Sequence, residues 1–104
     1  MKLYLVTRRD LSPGLRTAQL CHAVHEFLRE HPIHAQRWYE ESRTLVCLEV
    51  DDEQSLTELA GRCHGIEASL WREPDLDNAL TSVAIGPRGS RLCRNLRLAL
   101  DSHG

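Results

Sequence analysis

Asp10, Gly14, Arg16, Gln19 and His22 stand close together in the chain, and residues of these types can do chemistry on an ester or a phosphate. A carboxylate can orient or deprotonate a water. An arginine, a histidine or free backbone N–H groups can stabilise an oxyanion or hold a phosphate. The stretch reads Asp-Leu-Ser-Pro-Gly-Leu-Arg-Thr-Ala-Gln-Leu-Cys-His. Ser12 followed by Pro13 is a helix-start signal: a capping side chain, then a ring whose φ suits the first turn. The apolar run Leu3 to Val6 precedes it and reads as a buried strand over residues 2–8. A strand that feeds a tight turn and a helix N-terminus is a frequent binding place in α/β proteins.

Those side chains need neighbours, and the rest of the chain must supply them. On the helix opened by Pro13, Leu15, Ala18, Cys21, Val24 and Leu28 recur at helical spacing, broadened by Leu20 and Phe27, which predicts a buried face there. Pro32 ends this helix by disfavouring helical geometry at His31. Residues 34–42 fit a short second helix or a turn, with Trp38 and Tyr39 tucked beneath it. Thr44 to Val50 is the second strand. Asp51 or Asp52 caps a helix from about Glu53 to His64, with Leu56, Leu59 and Ala60 inward and Gly65 as its terminator. Ile66 to Trp71 reads as the third strand, with Ile66, Ala68 and Leu70 on one face and Glu67 and Ser69 on the other. A polar loop over residues 73–78 leads to a fourth strand, Leu80 to Ile85. After Gly86-Pro87, residues 88–98 read as a final helix.

The order is β-α-β-α-β-β-α, in one domain over residues 1–104. It predicts an α/β fold: a three-layer α/β/α sandwich with a small four-stranded mixed sheet. Strands one to three are joined through helices and should run parallel; the loop before the fourth is too short for a helix, so that strand should run antiparallel. Ligands in such sheets bind at the carboxyl ends of the parallel strands. That edge should gather Arg8, Arg9 and Asp10 from the first strand and Arg72, Glu73 and Asp75 from the third. It should also gather Asn78 and Thr81 from the fourth, with Gly14, Arg16, Gln19 and His22 from the first helix.

A formal net charge of −2 argues against a strong, indiscriminate nucleic-acid binder. The charge is uneven, however. Arg88, Arg91, Arg94 and Arg97 make the C-terminal segment basic, and Arg8, Arg9 and Arg16 cluster at the opening junction. This fits a small anionic ligand or an RNA backbone, and equally a solvated surface. No apolar run approaches membrane-spanning length and no leader is evident, so the expectation is a cytoplasmic protein with no membrane partner. Cys21, Cys47, Cys63 and Cys93 lie in apolar patterns without paired spacing and read as free core thiols. A nucleophilic Cys21 beside His22 is disfavoured, because adjacent helical residues point about 100° apart. His22 and His25 are close in sequence, but no metal-ligand pattern accompanies them, so no metal and no cofactor are expected.

The string DLSPGLRTAQLCHA after an apolar strand resembles the peptidyl-tRNA hydrolase II family. Asp10, Leu11, Gly14, Gln19, His22 and Ala23 match that family's first motif. The segment WREPDLDNALTSVAIGP resembles its second, through Arg72, Thr81, Gly86 and Pro87, and Leu96-Arg97-Leu98 is similar to its C-terminal ending. The resemblance implies a small mixed-sheet α/β/α domain, often dimeric and without a metal, that hydrolyses the ester between a peptide and tRNA. It also implies catalysis by a lysine after the glycine, an aspartate after the arginine and a nearby threonine. In this chain Leu15 takes the lysine position and Glu73 the aspartate position, and both loops are shortened. Arginine could replace lysine as a clamp on an anion, but not as a proton donor of tunable pKa.

The leading expectation is therefore a peptidyl- or aminoacyl-tRNA esterase that activates a water. Asp10, Gln19, His22, Glu73 and Thr81 would carry the chemistry, and Arg8, Gly14, Arg16, Arg72, Asp75 and Asn78 would hold the substrate. A second expectation is a non-catalytic domain that binds an RNA end, a nucleotide or a protein on the same fold. A third is a hydrolase or transferase for another small substrate.

Overall fold

The computed structural model describes residues 1–101. Its elements are β1 (Lys2–Arg8), α1 (Pro13–Glu30), α2 (Pro32–Glu41), β2 (Thr44–Val50), α3 (Glu53–Gly61), β3 (Ala68–Glu73), β4 (Ala79–Ile85), α4 (Ser90–Cys93) and β5 (Arg97–Leu98). Single 3-10 turns cover Pro74–Leu76 and Pro87–Gly89. The strands form one five-stranded sheet in the order β3-β4-β1-β2-β5. β1 and β2 are parallel; β4 is antiparallel to both β1 and β3, and β5 to β2. Two antiparallel steps through β4 leave β3 running in the direction of β1 and β2, so three carboxyl ends share one edge.

Helices cover both faces. On one side Leu20, Ala23 and Phe27 of α1 and Ala35 and Trp38 of α2 pack on Leu3, Leu5 and Ala84. On the other, Leu56 and Leu59 of α3 and Cys93 of α4 pack on Val6, Leu48, Leu80, Val83 and Ile85. Asp52 caps α3, its carboxylate accepting the Ser55 backbone N–H at 2.9 Å. Ser12 does occupy the N-cap of α1, with Pro13 next, but its hydroxyl makes no capping bond. Trp38 anchors α2 by donating its indole N–H to the Thr44 carbonyl at 2.8 Å.

The α/β class, the three layers and the mixed sheet agree with the sequence. Four details differ. First, the sheet has five strands, not four. The predicted final helix is one helical turn, after which Arg97–Leu98 lies along β2 and the Ala99 N–H bonds the Cys47 carbonyl at 2.9 Å. A segment with only Leu92, Cys93 and Leu96 to turn inward gains more by satisfying an open strand edge. Second, residues 32–41 form a full helix, and only Trp38 tucks under it; Tyr39 is exposed.

Third, the buried stripe of α1 is Gln19, Leu20, Ala23 and Phe27, which leaves Ala18, Cys21 and Leu28 exposed. Cys21 is therefore a surface thiol and not a core one, while Cys93 is buried and Cys47 and Cys63 are half-buried. Two overlapping apolar stripes were available to this helix, and the polar contacts of Gln19 select one of them. Fourth, β3 begins at Ala68 and has the opposite facing. Ser69, Trp71 and Glu73 point to the α1 side, and Leu70 is 43% exposed. α3 packs on β4 and β1, leaving the outer strand's second face thinly covered.

Candidate active site

The β3–β4 pairing holds an irregularity that shapes the site. Trp71 pairs with Ser82, yet Arg72 pairs with Leu80, so Thr81 is an extra residue in β4. Such a bulge re-aims side chains at strand ends. Here it sends Thr81 and Ser82 both toward α1. The Thr81 hydroxyl donates to the Gln19 Oε1 at 2.6 Å, with the Trp71 carbonyl a longer 3.4 Å away. The Ser82 hydroxyl donates to the Gln19 backbone carbonyl at 2.7 Å. Below them the Thr7 hydroxyl donates to the Thr81 carbonyl at 2.9 Å.

Gln19, only 1% exposed, is thereby fixed in orientation. Its oxygen accepts from Thr81, so its Nε2 is free to donate to the Glu73 Oε1 at 3.2 Å. Glu73 ends β3 and caps the start of the 3-10 turn that follows, where its Oε2 accepts the Asp75 backbone N–H at 3.3 Å. His22, one turn along α1, brings its Nε2 to 3.9 Å from the same carboxylate. The His22 ring lies flat on Trp71, with centroids 4.3 Å apart and planes 12° from parallel. The Trp71 indole N–H is buried near the carboxylate but makes no aligned hydrogen bond. The Gln19 amide, the Asp75 N–H and His22 all favour the charged form of Glu73, and together they hold its carboxyl below the usual carboxylate range against the opposing effect of burial.

Gln19, His22, Glu73 and Thr81 are thus brought together on the α1 side of the carboxyl edge. The other expected residues are placed elsewhere or contribute differently. Asp10 forms a double hydrogen bond with Arg8, and Arg8 also donates to the Leu80 carbonyl at 3.1 Å. Strand alternation puts Arg8 on the α3 side, where Glu53 accepts the Leu80 N–H at 2.7 Å. Asp10 raises the pKa of the Arg8 guanidinium by hydrogen bonding. Arg16 turns toward β2 and pairs with Glu49 at 2.9 Å, both side chains largely buried. It is not a clamp on Glu73. Arg72, on the opposite sheet face from Glu73, donates to the Asn78 carbonyl at 3.4 Å. Asp75 and Asn78 serve through their backbones: the Asp75 N–H bonds Glu73's carboxylate and the Asn78 N–H bonds Glu73's carbonyl at 3.0 Å. Asp77 and Asn78 have φ of 54° and 60°, which closes this turn within a short loop. Gly14 lies in the first turn of α1, in a cleft it shares with Pro13, Arg16, Thr17, Leu100 and Asp101.

Sequence reading missed Trp71, Thr7, Ser82 and Glu49. Trp71 could have been found from its place two residues before Glu73 in an alternating strand. The two hydroxyl residues and Glu49 looked like ordinary strand positions. Among the described residues no three His, Cys, Asp or Glu side chains converge as a metal-binding set. Likewise, no described helix is long and apolar enough to cross a membrane. Burial raises the thiol pKa of Cys47 and Cys63 and pushes Cys93 up to about 11, so these three stay protonated and poorly nucleophilic.

Compared with known families, residues 1–100 match the family model described as peptidyl-tRNA hydrolase PTH2. No individual curated protein matches the chain.

Proposed function

The chain belongs to the peptidyl-tRNA hydrolase PTH2 family, and on that premise we propose that it hydrolyses the ester bond of peptidyl- or aminoacyl-tRNA by activating a water. The observation that carries this reading is the Gln19 bridge, which ties Thr81 to a largely buried, ionised Glu73 beside His22. In this reading Glu73 accepts a hydrogen bond from the attacking water and draws off its proton. The water oxygen bonds the ester carbon, and the carbonyl oxygen takes up negative charge. His22 is 43% exposed at its side chain, so a substrate can reach it. It faces that charge, takes on the proton that Glu73 drew off, and passes it to the departing ribose oxygen, so that both side chains end as they began. Gln19 and Thr81 position the carboxylate. Asp10 and Arg16, each held by an ion pair, shape the edge around them.

The test is release of a blocked amino acid from tRNA by the purified chain. Replacing Glu73 by Gln or His22 by Ala should each lower the rate about 10²- to 10⁴-fold, the usual contribution of a positioned acid or base. Turnover no faster than buffer, or turnover indifferent to both changes together, would refute the proposal. Leu15 in the family's lysine position favours a second reading, a domain that binds an RNA end without cleaving it. That reading requires salt-sensitive tRNA binding with no ester release.

A further inference from the structure

On the sheet face that carries α3 and α4, the region toward the amino ends of β1 and β2 is thinly covered. α3 packs chiefly on β4 and β1, and α4 is a single turn. A cleft of about 550 Å³ runs between α4 and the strands β1, β2 and β5. Register lays its floor: Tyr4 stands beside Val46 and Leu48 beside Leu98, on the face that Val6 shares. Tyr4 and Val46 are half-buried and Leu98 is 57% exposed, so part of this apolar floor meets water. Lys2, Arg91 and Arg94 rim it together with Ser90, and no Asp or Glu lines it. None of the three cations has an ion-pair partner among the described residues. An exposed arginine without a partner is ordinary; the feature here is three cations, with no acid, around one concave apolar floor. The neighbouring cleft beside α3 instead mixes Glu49, Asp51 and Glu58 with Arg62 and Arg97.

We propose that this cleft binds a nucleoside di- or triphosphate. Its size falls within the range of small-ligand sites. Arginine forks match phosphate oxygens, and Lys2 adds a point charge. A fatty acid or an acidic side chain brings one negative charge to three cations, whereas a di- or triphosphate brings several on adjacent groups. The floor gives a base an aromatic ring and aliphatic neighbours to lie against, and the Ser90 hydroxyl can meet a ribose. The cleft and Glu73 lie on opposite faces of the sheet and toward opposite strand ends. A tRNA with its ester at Glu73 has that end on the other side of the molecule. The ligand of the cleft is therefore a free nucleotide rather than part of that substrate, and the inference stands apart from the esterase reading.

The experiment titrates the full chain with ADP in the absence of divalent cations, read by calorimetry and by backbone amide shifts. Binding should saturate, with shifts at Tyr4, Val46, Leu48 and residues 90–94 and none at Gln19 or Glu73. ADP should bind about tenfold tighter or more than pyrophosphate, because base and ribose add contacts that phosphates alone lack. Arg91→Glu combined with Arg94→Glu should weaken ADP binding about tenfold or more. Absence of saturable binding overturns the proposal, as do pyrophosphate bound as tightly as ADP, shifts confined to the carboxyl edge, or ADP binding that a folded double variant retains. tRNA binding that the double variant loses, with no binding of ADP, overturns it in favour of an RNA contact surface. If the double variant does not fold, the comparison of ADP with pyrophosphate and the shift map on the wild type decide the question.

Discussion

At the scale of single residues, Gln19 joins the site. Its two amide atoms face opposite ways by necessity, one accepting from Thr81 and one donating to Glu73. Gln19→Leu should orphan the buried Thr81 hydroxyl and cost about 2 kcal/mol in denaturant unfolding, together with most of the ester hydrolysis proposed for the site. Glu73 gives a pH signature. Its folded pKa lies below its ordinary 4.5, so it stabilises the native state fully above about that pH. This contribution is lost as pH falls through the lowered value. The melting temperature of wild type should exceed that of Glu73→Gln near neutrality, with the gap closing in acid below pH 4.5. An unchanged gap down to the acid limit would remove the hydrogen-bonded carboxylate from the account. The topology read from the sequence brought Gln19, His22, Glu73 and Thr81 to one edge, because Glu73 and Thr81 lie near strand ends and α1 starts at that edge and carries Gln19 and His22 two to three turns in. It could not tell that Arg16 would reach Glu49 across the sheet, or that Asp75 and Asn78 would act through backbone groups.

At the scale of elements, α1 is held to the sheet by the Ser82 hydroxyl at Gln19 and by Phe27, which is fully buried. Phe27→Ala should cost about 3–5 kcal/mol by opening a cavity between α1 and β1. The turn from β4 into α4 is equally constrained. A Cβ on Gly89 would overlap the Ile85 Cγ2 in the core, so Gly89→Ala should destabilise by about 1–3 kcal/mol, read by urea unfolding. Helix and strand existence was legible from periodicity and from Pro, Gly and Asp punctuation. Facing was less so. In α1 two apolar stripes overlap, and in β3 the inward set Ser69, Trp71 and Glu73 is more polar than the outward set. Polar contacts overrode hydrophobicity in both, and these are tertiary facts. β5 was invisible because a two-residue strand has no period to detect.

At the scale of the whole molecule, the C-terminal segment is fastened to the same helix that carries the site. Glu49 accepts from Arg16 at the start of α1 and from the Leu100 N–H, while β5 pairs with β2 around it. Arg16→Met would leave the Glu49 charge largely buried and without its ion-pair partner. It should cost about 3 kcal/mol of stability, visible as a lowered melting temperature. If Arg16 works as a strut between α1 and β2, kcat in the folded fraction stays within about threefold of wild type, since no transition-state contact is removed. A large fall in kcat with little loss of stability would instead restore Arg16 as an anion clamp. The fold class and layer order followed from the alternation of strand and helix patterns along the chain. The closing strand did not, because its reason for forming lies on β2, far away in sequence.

The extra residue in β4 makes chain length at that point a determinant of chemistry. Excising Thr81 would let Leu80 and Ser82 follow one another in a regular ladder opposite Arg72 and Trp71. The sheet would survive, with every remaining residue on the face it occupies now. The hydroxyl that donates to the Gln19 Oε1 would be gone, leaving that buried oxygen without its donor while the Nε2 still faces Glu73. Loss of Thr81 by deletion is therefore a different kind of lesion from a substitution: it spares the architecture and strands a buried acceptor.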